Sequence, residues 1–200
     1  MNIIIDYGLG NLASVSRAFD KAGIECKISS DKEDIINADS LILPGVGAFR
    51  DAIKSLEELE LIPVIKEQAD RGKKIIGICL GMQLLYEKSY EYGEHEGMGL
   101  IEGSVEKLGA GLKVPHMGWN DLKFNKQDPI LRYINEKDYV YFVHSYYLKS
   151  LGSELVAYAD YGVTVPAIVR KDNIFGMQFH PEKSAQVGLN LLKAYGEMIR

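Results

Sequence analysis

The 200-residue chain has few cysteines and no long apolar segment. Its two cysteines, Cys26 and Cys79, are too few for a disulfide scaffold or a cysteine-based zinc site. No run of about 18 apolar residues occurs, so no membrane-spanning helix is predicted. The first residues include an acid at Asp6 and no basic segment, which predicts a strand and not a signal peptide. A cytoplasmic protein is therefore expected.

Positive charge is also scarce. The chain has 23 Lys+Arg against 28 Asp+Glu, a formal net charge of −5, and no sustained basic run. An electrostatic nucleic-acid footprint is therefore not expected. The phosphate loop G-x-x-x-x-G-K-[ST] is absent, and Ala13 replaces the third glycine of a dinucleotide fingerprint beginning at Gly8. The sequence predicts no phosphate site of either kind.

Apolar strands alternate with helical patterns in the first half of the chain. Strands are predicted at 2–6, 25–29, 40–43 and 75–78, and helices at 12–22, 49–59, 62–71 and 80–88. This order favours a parallel sheet with crossover helices. Short strands are predicted between 97 and 179, and a helix at the end. We therefore predict one α/β domain over residues 1–200, with a mostly parallel central sheet flanked by helices and additional antiparallel strands.

The segment around Cys79 has the form of a nucleophile elbow. A buried strand leads into Gly77-Ile-Cys79-Leu80-Gly81, and a helix follows at once. Such a tight turn needs small residues two positions either side of the nucleophile. A helix N-terminus favours the thiolate, the reactive form of cysteine, and the Leu80 N–H is a candidate oxyanion donor. The alternative is a small buried cysteine between a strand and a helix.

His180 is the candidate base among the four histidines. It follows an apolar strand and stands two residues before Glu182, so both side chains project to the same side of an extended backbone. Pro181 favours that extended backbone at His180. Glu182 would fix one imidazole nitrogen and leave the other for the thiol. The alternatives are a structural histidine before a helix, or zinc bound by this histidine, Glu182 and Cys79; the elbow argues against a metal.

A second oxyanion donor is expected from a neighbouring strand end. Pro44-Gly45-Val46-Gly47 fits, because glycines on both sides of Val46 allow the backbone to turn its N–H groups inward and the peptide to flip. A plain turn between a strand and a helix would have the same composition.

These segments together resemble the class I (triad-type) glutamine amidotransferase family over nearly the whole chain. Within this family, the segment at 115–120 and the ending Lys183-Ser184 resemble those of glutaminase subunits of histidine biosynthesis. The motifs that carry the resemblance are Asp6-Tyr-Gly-x-Gly-Asn11, Pro44-Gly-Val-Gly-x-Phe49, Gly77-Ile-Cys-Leu-Gly-Met-Gln83, Pro115-His-Met-Gly-Trp-Asn120, Tyr141-Phe-Val-His-Ser-Tyr146 and Gly176-x-Gln-Phe-His-Pro-Glu-Lys-Ser184.

The resemblance implies a role for each site residue. Cys79 would attack the side-chain amide of glutamine, with His180 and Glu182 completing a catalytic triad and with no cofactor or metal. The implied oxyanion hole consists of Leu80, Gly45, Val46 and Gly47. The implied glutamine-binding residues are Gly47, Gln83, Glu91, His144, Ser145 and Tyr146. Without the resemblance, Glu91 would be interpreted as a solvated acid.

The resemblance also implies a partner. Ammonia would pass through a channel to a (β/α)8-barrel cyclase subunit of a heterodimer, which uses it on a phosphorylated, ribonucleotide-derived substrate. The missing phosphate site is consistent with that substrate binding on another chain. The residues implied to face the partner are Asn11, His116, Met117, Trp119 and Lys183. Ordinary core packing is the alternative for Trp119, the only tryptophan.

Three other functions remain open from the sequence. The first is a glutaminase subunit of a different synthase, for example in pyridoxal phosphate synthesis, which would differ mainly at 115–120. The second is a free-standing cysteine γ-glutamyl hydrolase on the same scaffold. The third is a regulatory binding module without catalysis, against which the intact set of Cys79, His180 and Glu182 argues.

Overall fold

The computed structural model describes residues 1–109, 111–149 and 152–199. The α-helices are α1 (Leu12–Lys21), α2 (Lys32–Asn37), α3 (Phe49–Glu58), α4 (Leu61–Asp70), α5 (Leu80–Leu84) and α6 (Ala185–Met198). The strands are β1 (Asn2–Ile5), β2 (Cys26–Ser29), β3 (Ser40–Gly45), β4 (Lys74–Cys79), β5 (Tyr86–Ser89), β6 (His95–Glu96), β7 (Ile101–Lys107), β8 (His116–Asp121), β9 (Lys123–Phe124), β10 (Tyr139–His144), β11 (Tyr146–Leu148), β12 (Leu155–Asp160), β13 (Thr164–Lys171) and β14 (Ile174–Met177). Short 3₁₀ helices occupy Pro129–Leu131 and Pro181–Lys183.

An eight-stranded sheet runs through the described part of the chain in the order β2-β1-β3-β4-β14-β13-β12-β9. The strands from β2 to β14 pair in parallel, whereas β13, β12 and β9 add antiparallel pairs at one side. The prediction of a mostly parallel sheet with antiparallel additions is therefore confirmed. Two smaller sheets, β10-β8 and β11-β7-β5-β6, accompany it.

Helices cover both faces of the central sheet because its middle strands are apolar on both sides. Every residue of β3 is buried, as expected for a parallel strand between two helical layers. Phe19 and Tyr195, from α1 and α6, pack edge to face on one side, while Phe49 and Leu56 of α3 belong to the core on the other. No helix in the described ranges combines the length and apolar character needed to cross a membrane.

The register of the parallel strands brings the predicted site residues to one edge of the sheet. Gly45 at the end of β3 pairs with Cys79 at the end of β4, and Ile78 pairs with Met177 at the end of β14. The carboxyl ends of three adjacent strands therefore meet where open α/β folds bind their ligands.

Up to residue 89, two elements differ from the prediction. The helix predicted at 80–88 ends at Leu84, and β5 begins at Tyr86, because this strand pairs with β7 on one side and β6 on the other. The sequence pattern does not indicate where the helix ends, because four consecutive or nearly consecutive side chains are fully buried and suit a buried helix and a buried strand equally well. These residues are Met82, Leu84, Leu85 and Tyr86. Helix α2 was not predicted, although Asp31 caps it by accepting hydrogen bonds from the Glu33 and Asp34 N–H groups.

Candidate active site

The turn between β4 and α5 holds Cys79 in a strained backbone conformation. Its φ of 55° and ψ of −111° lie outside the regions that L-residues ordinarily occupy. The flanking glycines are needed for space: a Cβ on Gly77 would lie 2.5 Å from the Gly81 carbonyl oxygen, and one on Gly81 would overlap the Leu43 carbonyl oxygen. Strain of this kind persists only where the surrounding structure enforces it, and it occurs most often at functional sites.

The imidazole of His180 lies between a thiol and a carboxylate. Its Nδ1 donates to Glu182 Oε1 at 2.7 Å, and the same ring lies close enough to Cys79 for the thiol to shift the imidazole pKa. The side chains of His180 and Glu182 are both nearly fully buried. The structure therefore brings the three residues of the predicted triad together, in the order thiol, imidazole, carboxylate.

Electrostatics favour the protonated form of His180. Burial by itself lowers the pKa of this imidazole, but the interactions of the ring with Cys79 and with the Glu182 carboxylate outweigh burial and raise the pKa to about 9. An imidazolium beside the sulfur stabilises a thiolate, which is the nucleophilic form. The pair can therefore provide both a nucleophile and an acid for a leaving group.

Two residues of the motif at 176–184 position the triad, although neither of them was predicted from the sequence to have a role at the site. Gln178 is fully buried, and its Nε2 donates towards Cys79 Sγ at 3.9 Å. Ser184 Oγ donates to the His180 carbonyl oxygen at 2.6 Å and accepts from the Tyr141 N–H, so it holds the backbone that carries the imidazole. The extended segment at 176–180 contains a signal for Gln178. Side chains two positions apart in such a segment project to the same side, so residue 178 is expected on the same side as His180.

The predicted oxyanion loop has one fixed end and one open end. A Cβ on Gly45 would lie 2.7 Å from the Tyr7 hydroxyl, which itself donates to the Pro44 carbonyl oxygen, so this end is tightly packed. Val46, by contrast, is 41% exposed. Gly47 has a φ of +99°, and a Cβ there would lie more than 4 Å from the atoms that the structure describes around it. The peptide between Val46 and Gly47 therefore has room to rotate.

A cavity of about 400 Å³ opens beside Cys79. Its lining includes every predicted triad, oxyanion and glutamine-binding residue except Gly45 and Glu182. The lining residues are Val46, Gly47, Cys79, Leu80, Gln83, Glu91, Pro115, Val143, His144, Ser145, Tyr146, His180 and Lys183. This volume and its mixture of polar and apolar groups suit a small amino-acid side chain with its α-substituents.

Several lining side chains are already held by neighbouring groups. Gln83 Nε2 donates to the Tyr146 carbonyl oxygen at 2.9 Å and to Gln178 Oε1 at 3.0 Å. Glu91 Oε2 accepts from the Phe49 N–H at 2.6 Å, at the first turn of α3. Both side chains are therefore fixed in position at the cavity wall.

The residues predicted to face a partner fall into two groups. Asn11, Met117, Trp119 and Lys183 are exposed, with 61% of Met117 and 52% of Trp119 accessible. Core packing for Trp119 is therefore excluded within this chain. His116 differs from the prediction: its ring is buried and stacks on Tyr161 at 3.9 Å and on Phe142 at 4.6 Å, so its side chain is not part of the exposed face.

The second thiol has no comparable surroundings. Cys26 is partly buried, and burial, followed by the charges of Asp20 and Glu25, raises its pKa to about 12. Its thiol therefore stays protonated and unreactive near neutral pH. Among the described residues, no group of three or more His, Cys, Asp and Glu side chains is placed to hold a metal ion.

Comparison with known proteins agrees with this geometry. The family model described as "Glutamine amidotransferase class-I" matches residues 3–194. The chain therefore belongs to the class-I glutamine amidotransferases, which are glutamine-hydrolysing enzymes.

Curated relatives give a more particular name. A protein of Oceanobacillus iheyensis named "Imidazole glycerol phosphate synthase subunit HisH" is 51% identical over 201 residues, covering 100% of both chains. The protein of the same name from Aquifex aeolicus is 49% identical and covers 96% of this chain and 94% of its own.

A solved structure supports the fold independently. A structure titled "Crystal structure of glutamine amidotransferase" superposes with a TM-score of 0.78, covering 98% of this chain and 97% of that chain. At 21% identity, this likeness concerns the fold alone.

Proposed function

We propose that this chain is the glutaminase subunit of an imidazole glycerol phosphate synthase, which hydrolyses glutamine and supplies the ammonia to a cyclase subunit in histidine biosynthesis. The observation that carries the proposal is the hydrogen-bonded, buried His180–Glu182 pair, whose imidazole lines the same cavity of about 400 Å³ as Cys79 on its strained elbow. The relatives at about 50% identity over nearly their whole length support the assignment to this synthase.

In the proposed reaction, the Cys79 thiolate attacks the side-chain amide carbon of glutamine and forms a C–S bond. The His180 imidazolium donates its proton to the leaving nitrogen as the C–N bond breaks, which releases ammonia. The neutral imidazole then takes a proton from water, and the resulting hydroxide attacks the thioester. The C–S bond breaks, which releases glutamate and regenerates the Cys79 thiolate beside the His180 imidazolium. Glu182 holds the ring in position throughout.

Backbone N–H groups would stabilise the oxyanion of each tetrahedral intermediate. The Leu80 N–H at the start of α5 is one proposed donor, and the loop at Gly45, Val46 and Gly47 provides the other. The open Val46–Gly47 peptide supports a loop that completes the oxyanion hole by rotation. The loss of one such donor costs about 10²- to 10³-fold in rate, so the orientation of this peptide would regulate the reaction.

Recognition of glutamine is proposed for the cavity wall. The Glu91 carboxylate would bind the positively charged α-amino group, while Gly47, Gln83 and the segment His144, Ser145 and Tyr146 enclose the side chain. The hydrogen bonds that hold Gln83 and Glu91 support this role, because a wall fixed in advance costs less entropy when the substrate binds.

The pH dependence of glutamine hydrolysis tests the proposed role of His180. The imidazolium is the acid, and its pKa is about 9, so kcat/KM is expected to decline as the pH rises through about 9. Because Glu182 is one of the groups that raise this pKa, Glu182→Gln should move the alkaline limb to lower pH and also reduce kcat. The alkaline limbs of the wild type and of Glu182→Gln are both measured from the rate of glutamate release. An identical limb in the wild type and the variant would contradict the proposed contact.

The partner surface is proposed to surround Trp119. Trp119 packs edge to face on Tyr141, and Lys183 Nζ lies 6.0 Å from the centre of the same Tyr141 ring. The exposed Met117 extends the surface along β8. An exposed aromatic and methionine patch beside a cation is typical of a protein interface. Lys183 also lines the catalytic cavity, which supports an interface next to the ammonia source.

Reversing the charge of Lys183 is expected to weaken binding to the cyclase subunit. Lys183→Glu should raise Kd by about tenfold or more, because a repelling charge replaces the cation at the edge of the interface. Lys193→Glu is a matched control, since Lys193 also lies over a tyrosine ring (Tyr133) but on α6. Titration calorimetry measures both. Equal affinity of the Lys183→Glu variant and the wild type would remove Lys183 from the interface.

Assays of this chain alone and together with candidate partners separate the remaining alternatives. A free-standing hydrolase would hydrolyse glutamine at full rate without any partner. A glutaminase subunit of pyridoxal phosphate synthesis would bind the synthase of that pathway in place of the cyclase. Co-purification with the cyclase subunit of the same organism, followed by glutamine-dependent formation of imidazole glycerol phosphate, is the expected result.

A further inference from the structure

Two buried histidine rings outside the triad contact each other beside the cavity. His116 Nδ1 and His144 Nε2 are 3.0 Å apart, and both side chains are buried. His116 stands on β8, and His144 ends β10, the strand that pairs with it. Neither ring takes part in the proposed bond-making and bond-breaking steps, and only His144 lines the cavity, so the buried His116 calls for a physical explanation.

The partners of these rings assign one tautomer to each. His144 Nδ1 lies 2.8 Å from the Tyr146 carbonyl oxygen, which can only accept, so Nδ1 carries the proton. In a neutral ring, Nε2 of His144 then accepts, and His116 Nδ1 is its donor. His116 Nε2 is left to accept from Asn120 Nδ2 at 3.4 Å. The hydrogen bonds therefore run in one direction, from β8 to the Tyr146 carbonyl.

Only the neutral rings are compatible with this arrangement. A proton added to His144 would direct two N–H groups at each other across the 3.0 Å contact. Burial lowers the pKa of His144 to about 3 and that of His116 to about 4, so both rings stay neutral at physiological pH. In the neutral rings, the hydrogen bond to the Tyr146 carbonyl and the contact between the rings decide which nitrogen carries the proton.

The Tyr146 carbonyl connects the histidines to the nucleophile. It accepts a second hydrogen bond from Gln83 Nε2, which also donates to Gln178 Oε1. Gln178 Nε2 in turn donates towards Cys79 Sγ. One continuous set of buried hydrogen bonds therefore joins Cys79, the cavity wall and β8.

We infer that His116 is a positioning residue for glutamine: by donating to His144, it fixes the ring that holds the Tyr146 carbonyl and thereby the Ser145–Tyr146 wall of the cavity. This inference rests on the proposed glutaminase function. His116 does not line the cavity, so it acts only through His144. The exposed Met117 and Trp119 stand on the same strand as His116, β8. The set of buried hydrogen bonds therefore reaches the strand that carries the proposed partner surface.

Replacing His116 by phenylalanine separates the hydrogen bond from the stacking. His116→Phe keeps a flat ring between Phe142 and Tyr161 but removes the donor to His144. The KM for glutamine should rise about 5- to 30-fold, as expected when a buried acceptor loses its donor, while kcat changes less than about threefold. Alkylation of Cys79 by iodoacetamide, a reagent too small to use the wall, should be unchanged. The holoenzyme complex is used throughout.

A conservative variant provides the rescue. His116→Asn loses the stacking ring but keeps an amide N–H near the position of Nδ1, so its KM should stay within about threefold of the wild type. His95→Phe, in a histidine outside this set of hydrogen bonds, is the control for a general effect of the substitution. An unchanged KM in His116→Phe, or equal losses in His116→Phe and His116→Asn, would overturn the inference.

Nitrogen-15 spectra of the histidine rings give a readout that does not need activity. The wild type should show Nδ1–H tautomers for both His116 and His144, and His116→Phe should alter the His144 signals. Nε2–H tautomers in the wild type would overturn the inference even if the enzyme were inactive. A wild-type complex that releases no glutamate would count against the proposed function instead, so the two failures are distinguishable.

Discussion

Cys79→Ala is expected to lower glutamine hydrolysis by at least about 10⁴-fold, because no other group can form the thioester. The remaining thiol, Cys26, is part of a distant strand edge, and burial and nearby acids keep it protonated. In the complex with the cyclase subunit, the same variant should retain formation of imidazole glycerol phosphate when ammonium is added. Glutamate release and product formation are measured side by side.

The two assays have distinct meanings. Loss of the glutamine-dependent reaction alone identifies Cys79 as the source of ammonia for an intact partner. Loss of the ammonium-dependent reaction as well would contradict the proposed ammonia supply, provided that Cys79→Ala still binds the cyclase subunit. Retention of glutamine hydrolysis would contradict the choice of nucleophile.

Gly81→Ala is expected to destabilise the fold by at least about 3 kcal/mol or to prevent soluble expression. Helix propensity alone would predict a gain of about 1 kcal/mol, since Gly81 lies in α5. Sterics reverse the sign, because the added Cβ would overlap the Leu43 carbonyl oxygen in the adjacent strand β3. Backbone atoms of a fully buried strand cannot move aside as a flexible side chain could. Urea denaturation measures the difference.

Gly109→Ala is the matched control. A Cβ on Gly109 would meet no atom of the described residues within 4 Å, and neither glycine has a positive φ. The control should therefore change the free energy of unfolding by no more than about 0.5 kcal/mol. A Gly81→Ala variant as stable as this control would mean that the elbow is not packed as tightly as described.

The parallel half of the fold was predictable because its signals are local. Strands such as β3 and β4 are short buried apolar runs, and each is followed by a helix, so composition and order determine the class of fold. The end of α5 was not predictable in this way. Leu84, Leu85 and Tyr86 are all buried, and pairing with β6 and β7, which follow later in the chain, decides that the chain becomes a strand at Tyr86.

In the candidate site, too, some features follow from local sequence and others depend on tertiary packing. The contact of His180 with Glu182 follows from their spacing in an extended segment, and the elbow follows from two glycines, so both were expected from the sequence. Gln178 was given no role from the sequence because its importance depends on reaching Cys79 from beyond the end of another strand, β14. His116 was predicted to face a partner, but the pairing of β8 with β10 turns its ring inward on Phe142. Both cases depend on tertiary packing, which one sequence does not contain.

Covalent labelling tests most directly that Cys79 is the residue that attacks glutamine. The wild-type complex is incubated with the glutamine analogue 6-diazo-5-oxo-L-norleucine, and the modified residue is identified by peptide mass spectrometry. The expected result is one adduct on Cys79, formed at the rate at which glutaminase activity is lost and prevented by excess glutamine. An adduct on Cys26, or loss of activity without modification of Cys79, would contradict the proposed function.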